Sequence, residues 1–459
     1  MALLGGKTLL GSGVLYTDRR DFYIKPNEVA ELYPSVTPFY TFVSKLKTRG
    51  SGKDPLFKLF EHRGSWVDME FYIRTAKDWN TGSYSNAAGS ITVYMTIGGT
   101  EAVPFLQKGD IVEVRAASTS LRSLGSEASA TTTVEKDAVI ARLLVTVVQT
   151  STTAGATLVT FANLSLTGND TYNLVDGDPA RVVTHADAEG SDANNGWNDE
   201  LETAFGQCQI IKTPYKLTGT LANAKLRGYD DERARIRDDK LKEHKVKLNG
   251  MFLRGYMSGA STSSRSTAPT NITEPTSTEE AYGNEIRTSW GIIPLIETYG
   301  TANLQKFSRQ WASYDVDAFI TDMEARSKYF NQDMEEFGFA GSKVLAELSK
   351  SGPNSFLARS GGSLALGSWQ MTKLGFQVRT LTHPFGVTHI AWDPSLRGAP
   401  YNNMLAIVSP DDVERVVYRN TVLQTAIQDN DVDGIKDQYF SDEGLGCTLI
   451  ERHALWKFN

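Results

Sequence analysis

Gly6-Lys7-Thr8 is the first cluster along the chain whose residue types suit chemistry, because a Gly-Lys-Thr triplet can close a phosphate-binding loop. That loop needs a glycine five residues before Gly6, where Met1 stands. No G-x-G-x-x-G or G-x-S-x-G sequence occurs to replace it. The six histidines are His62, His185, His244, His383, His389 and His453, and none has the spacing of a zinc helix such as H-E-x-x-H. His383 and His389 flank a Pro-Phe-Gly turn and are the pair most able to meet, but ordinary packing at strand ends is expected of them. Asp and Glu total 54, so an acid–base pair is not excluded by number, yet no local motif nominates one. Cys208 and Cys447 are too few and too far apart for a disulfide framework and read as small buried hydrophobes in a reducing compartment. The expectation is a protein that is not an enzyme and has no cofactor and no metal.

The elements that would have to position a site point elsewhere. A chain of 459 residues with 40% hydrophobic content can form two or three domains with real cores. It has no apolar run of about 18 residues and no signal-peptide layout, so a soluble, cytoplasmically made protein with no membrane partner is expected. Net charge is −7, a poor balance for gripping phosphate backbones.

Residues 1–50 read as an extended, partly helical arm punctuated by Pro26, Pro34 and Pro38. Residues 55–74 read as a hairpin turning at Arg63-Gly64-Ser65. Its second strand alternates Val67, Met69, Phe71 and Ile73 with Asp68, Glu70, Tyr72 and Arg74. Short β-rich runs between 91 and 185 predict an inserted barrel or sandwich.

The stretch from 226 to 255 is about half charged and, after Gly228, free of helix breakers before Gly250. It predicts a helix roughly 45 Å long at ~1.5 Å per residue. Ala234, Leu241 and Leu248, with Phe252, form its narrow apolar seam. Asp231–Arg235, Asp238–Lys242 and Glu243–Lys247 are spaced as i,i+4 ion pairs, each contributing about 0.2–0.5 kcal/mol. Residues 257–279, rich in Ser and Thr, read as a mobile, solvated loop. A second helix is expected over 315–337, capped by Asp315 and buried through Val316, Phe319, Ile320 and Met323.

Four segments carry a resemblance. "GQCQIIKTPYKLTGTLANAKLRG" leads a strand ending in Thr-Gly-Thr straight into the charged rod. "PLFKLFEHR" looks like an extended loop, and a Gly-Asp-Ile-Val β insertion ends at "HADAEGSDANN". The chain closes on "YFSDEGLGCTLIERHALWKFN". In their order along the chain they resemble the tailed-bacteriophage major capsid proteins with the Hong Kong 97-type shell fold.

The resemblance implies an α+β subunit. Its parts would be an N-terminal arm (1–50), an extended loop (51–90), the inserted β domain (91–185), and a peripheral domain (186–314) with a spine helix at about 222–255. An axial domain (315–435) and C-terminal strands (436–459) returning to the peripheral domain would follow. It also implies self-assembly as hexamers and pentamers into an icosahedral head enclosing double-stranded DNA without sequence-specific binding. Portal, separate scaffold and cement proteins would be partners, and assembly would take place in the host cytoplasm. Phe57, Phe60, Arg63, Trp66, Met69 and Phe71 on the extended loop are then the subunit-interface candidates, and Ala234, Leu241, Leu248 and Phe252 the spine-helix packing. The alternatives are an encapsulin-like nanocompartment shell and, from another class, a soluble hydrolase with a β carbohydrate-binding module.

Overall fold

A computed structural model describes residues 37–50, 54–62, 70–74, 83–85, 90–97, 106–125, 131–150, 157–164, 171–175, 177–192, 200–223, 231–273, 285–329, 334–348, 365–371 and 377–459. The chain divides into two compact units, one of residues 1–61 with 202–459 and one of residues 62–201. The first mixes helices and sheets and the described elements of the second are all strands, so the chain as a whole is α+β.

The second unit is built on a closed six-stranded barrel. Its strands run in the order Thr157–Asn163, Ser90–Ile97, Glu70–Arg74, Pro179–His185, Asp110–Arg115 and Val139–Thr150. Alternate residues point inward, so Phe71, Ile73, Val112, Val114, Leu143, Val145, Val159 and Phe161 fill the interior. A second, four-stranded sheet contains Ser83–Ser85 and Thr171–Val175.

This arrangement corrects the expected boundaries. Strand Glu70–Arg74 closes the barrel between Ser90–Ile97 and Pro179–His185, so the inserted unit begins near residue 62 and ends near 201. Strand Leu56–Glu61 pairs with Glu202–Gln207 instead of turning back on 67–74. Alternation identifies a strand's two faces but not its partner, and here both partners lie far along the chain.

In the first unit, a four-stranded sheet runs in the order Thr48–Gly50, Val413–Gln424, Gly434–Cys447 and Gln209–Thr218. The spine helix, Glu232–Arg254, packs on one face of this spine sheet. It is one unbroken helix of 23 residues, about 35 Å at ~1.5 Å per residue, shorter than the expected rod. Residues 224–230 lie outside the described residues, and Gly219–Asn223 form a separate short helix. The Asp231 side chain accepts the Ala234 N–H at 3.1 Å as the N-cap, so the acid expected to pair with Arg235 caps the helix. Arg235 reaches Glu232 and Asp239 at 2.7 and 2.9 Å, while Lys247 does meet Glu243 at 3.0 Å.

The helix's buried face also differs from the expected seam. Leu248 and Phe252 are buried, but Ala234 and Leu241 are only half-buried. Ile236, His244, Leu248 and Phe252 make the inner stair, each separated from the next by four or eight residues. Steps of four turn the buried line by about 40° each on a straight helix, so the contact winds around the helix from Ile236 to Phe252 and leaves Ala234 and Leu241 to its side. Phe252→Ala should therefore cost about 3–5 kcal/mol. Leu241→Asp, expected from the sequence to prevent folding, should give a soluble, cooperatively unfolding protein. Equal denaturant midpoints for the two variants would refute this face.

A seven-stranded sheet completes the unit, in the order Lys306–Arg309, Ala454–Phe458, Met404–Val408, Met334–Ala340, Gly386–Trp392, Gln377–His383 and Ala365–Met371. The second helix is Val316–Arg326, capped by Asp315 through Ala318 N–H. It does not reach 337, because Met334–Ala340 is a central strand between Gly386–Trp392 and Met404–Val408. The last strand, Ala454–Phe458, lies in this sheet, whereas Val413–Gln424 lies in the spine sheet. The expected division at residue 435 therefore fails at both strands. Gly255 and Gly291 let the spine helix end tightly against the helix Ile292–Tyr299. A Cβ on Gly255 would lie 2.6 Å from Ser289 O, and one on Gly291 2.5 Å from Gly255 N.

Candidate assembly surfaces

The spine helix is bolted to its sheet by polar groups as well as apolar ones. His244 is fully buried; its Nδ1 lies 3.0 Å from Thr213 Oγ1 and its Nε2 2.9 Å from Ser441 Oγ. Arg233 makes a two-pronged pair with buried Asp437, the closest contact being 2.8 Å. Sequence reasoning missed His244 because it sits among charges. Its spacing of four from Leu248 and eight from Ile236 is the signal that could have found it.

The helix Pro38–Lys45 docks on the spine through a second polar node. Tyr40 N–H donates to Asn249 Oδ1 at 2.8 Å, and Asn249 Nδ2 donates to Asp393 at 3.1 Å and to Ser395 Oγ at 2.6 Å. Asp393 also accepts the Phe39 N–H at 3.4 Å, at the start of that helix. Burial raises the Asp393 carboxyl above its ordinary range despite these donors. Tyr40 stacks on Phe252, and Arg415 lies over the Tyr40 ring while pairing with buried Glu443. Pro38 begins the helix and Phe39 and Phe42 enter the core, which is how the apolar "TPFYTFV" run is used.

The ribbon formed by Leu56–Glu61 and Glu202–Gln207 has one face inward and one outward. Phe57 is buried with Leu59, Ala204 and Val416, its ring over Gly206, where a Cβ would come within 2.3 Å. Phe60 faces outward at 66% exposure, opposite Thr203. Lys58 lies beside it, its ammonium over the Phe205 ring. Of the six interface candidates, then, Phe57 and Phe71 are consumed by their own chain, in the ribbon and in the barrel core. Arg63, Trp66 and Met69 lie outside the described residues, and Phe60 stands on the outer face.

The loop expected to be mobile is engaged from 257 to 273. Arg265 pairs with buried Glu61 at 2.6 Å and donates to Cys447 O at 2.5 Å; its own carbonyl accepts the Phe205 N–H. Gln207 donates to Asn271, and Ile272–Thr273 pairs with Glu285–Ile286. Residues 274–284 lie outside the described residues.

His383 and His389 do not converge. The first meets Thr388, and the second meets Thr380 and Glu335. Among the described residues no group of three or more His, Cys, Asp or Glu could hold a metal ion, and no helix is long and apolar enough to cross a membrane. Burial pushes the His453 imidazole down to about 3. Burial, joined by the charge of Arg326, pushes His383 down to about 4. Burial lowers His244 as well. An unfolded histidine titrates near roughly 6.5, so between that value and these lowered ones the unfolded chain binds more protons than the folded one. Stability should therefore fall as pH drops from about 6.5 toward 4. Denaturant melts at stepped pH should show this slope, and it should be shallower in His453→Gln; a flat profile would contradict neutral burial.

A long helix laid on a long sheet, a docked arm and an outward ribbon describe a structural subunit built for contact along extended surfaces. The family model described as SU10 major capsid protein matches residues 27–457, and the chain belongs to that family. It is a major capsid protein, it forms capsid shells, and its place is in the virion. No curated protein matches the sequence. Solved structures similar to it include the mature capsid of bacteriophage PhiM1, at 9% identity over 61% of this chain and 79% of that one, with a TM-score of 0.36. The capsid of Myoviridae phage XM1 is 10% identical over 59% and 81%, with a TM-score of 0.35. The holo-SrpI encapsulin complex from Synechococcus elongatus is 9% identical over 57% and 76%, also at 0.35. The family model carries the assignment.

Proposed function

We propose that this chain is the structural building block of an icosahedral phage head, assembling as hexamers and pentamers in the host cytoplasm around double-stranded DNA and acting without catalysis. The family match over 27–457 is the observation that carries the reading. Portal, separate scaffold and cement proteins would be its partners. The unit of residues 1–61 and 202–459 holds the peripheral and axial parts, and residues 62–201 form the inserted β unit. The spine helix acts as a stiff beam, and many modest contacts sum to a stable shell because closed symmetry repeats each of them. A chain of net charge −7 suits a container that holds DNA without gripping it.

Phe60 is the contact residue favoured here, since a large aromatic left on an outward ribbon gains most by burial against another copy. Electron microscopy of purified protein should show closed shells. Phe60→Glu should fold with stability within about 0.5 kcal/mol of the parent, as exposed substitutions do, yet lose most shell yield. A monodisperse parent protein would overturn the head reading, and normal shells from the variant would overturn the role of Phe60.

A further inference from the structure

The edge strand of the spine sheet carries exposed lysines that form no ion pair among the described residues. Along Gln209–Thr218 the buried residues Ile211, Thr213, Tyr215 and Leu217 alternate with exposed Ile210, Lys212, Pro214 and Lys216. Lys216 lies directly opposite Lys436 in the neighbouring strand, and both are exposed. Lys212 is on the same face, four residues and thus about 13 Å from Lys216. None of the three has an ion-pair partner among the described residues. Like charges placed directly across a strand pair destabilise it.

The rest of the sheet is handled differently: Arg233, Arg415 and Arg419 are matched to Asp437, Glu443 and Asp442. Asp429, Asp431 and Asp433 precede the strand Gly434–Cys447 and form no ion pair with the lysines among the described residues. Gln209–Thr218 is also the edge strand, and a groove of about 690 Å³ runs between it and the spine helix, lined in part by Ile210, Lys212, Arg254 and Tyr256. Ile210 and Tyr256 are both well exposed.

The same sequence holds the complementary charge. From Val182 to Ile211 there is no Lys or Arg, while Asp187, Glu189, Asp192, Asp199, Glu200 and Glu202 all fall there. Glu189, Asp192 and Glu200 are exposed and have no ion-pair partner among the described residues. We infer that the lysine stripe of Lys212, Lys216 and Lys436 is a docking surface for the Glu189, Asp192 and Glu200 carboxylates of a second copy of this chain. The inference rests on the shell reading above. Such a contact is head-to-tail, one patch meeting a different patch on the next copy, and it closes into rings when the rotation permits. A chain with three free lysines and net charge −7 favours this occupant over nucleic acid.

The test uses full-length protein in three forms. One carries Lys212→Glu, Lys216→Glu and Lys436→Glu; one carries Glu189→Lys, Asp192→Lys and Glu200→Lys; the third carries all six changes. Each of the first two alone should fold but lose at least tenfold in shell yield by sedimentation and microscopy. Mixing them should recover association between copies, because a reversed face then meets a reversed segment of the other variant, and the sixfold variant should assemble within about twofold of the parent. The milder set Lys212→Gln, Lys216→Gln and Lys436→Gln guards against misfolding and should flatten the salt dependence of assembly. Normal shells from either charge-reversed variant would overturn the inference. So would normal shells that lose only their nucleic acid, which would assign the stripe to DNA. Recovery in the sixfold variant without recovery on mixing would place the contact within one chain and also overturn it. A parent protein that forms no shells would remove the shell reading and this inference with it.

Discussion

Glu336→Ala is expected to cost about 3–5 kcal/mol of stability, because it removes the carboxylate that meets a fully buried Arg326. Arg326 is 0% exposed and Glu336 1%. The guanidinium donates to Glu336 Oε1 at 2.7 Å and to Arg452 O at 3.0 Å, and it lies over the Trp456 ring. The pair joins the end of the helix Val316–Arg326 to the central strand Met334–Ala340 and to the chain just before the final strand. Losing it should loosen the seven-stranded sheet as a whole. Replacing both partners by apolar residues of similar size, Arg326→Met with Glu336→Leu, should be far milder, since no charge is then stranded. Denaturant unfolding of the single and double variants measures both. A single variant costing less than about 1 kcal/mol would mean that water or another group reaches the site.

Arg265→Ala should cost about 3 kcal/mol, the lower end for a buried ion pair because Arg265 keeps some exposure. It removes the guanidinium that pairs with Glu61, which is buried on the ribbon, and the donor to Cys447 O. Deleting residues 260–273 should do more. It also removes the backbone bond from Phe205 to Arg265 and the Asn271 contact with Gln207, both of which hold the strand Glu202–Gln207. The ribbon that presents Phe60 would then lose its support, so shell yield should fall to background, with limited proteolysis near residues 54–62 rising. A deletion variant with normal shells and normal melting would restore the solvated-loop reading that composition suggested.

That loop shows where reading a sequence stops. Ser, Thr and Pro in 257–279 report a segment that forms no helix or long strand by itself. They say nothing of a single arginine that finds a carboxylate 204 positions away. The interface candidates divide in the same way. Phe57 and Phe60 share one apolar run and Phe71 an alternating one, and neither run says which ring is covered. Only pairing with Glu202–Gln207 and closure of the barrel turn Phe57 and Phe71 inward and Phe60 outward.

The amino-acid order alone determined that a long charged helix follows a strand, that Asp315 starts another helix, and that the middle of the chain is β-rich. It also determined that no local motif nominates a catalytic or metal site. Periodicity, caps and composition act over one to four residues, so they are written wherever those residues are written. Tertiary structure alone decided that Ile236 and His244, in place of Ala234 and Leu241, complete the spine's inner face with Leu248 and Phe252. It decided too that the insertion spans 62–201, and that Lys216 and Lys436 stand side by side. Those outcomes depend on which surfaces meet across many tens to hundreds of residues, and that is settled by the joint packing of the whole chain.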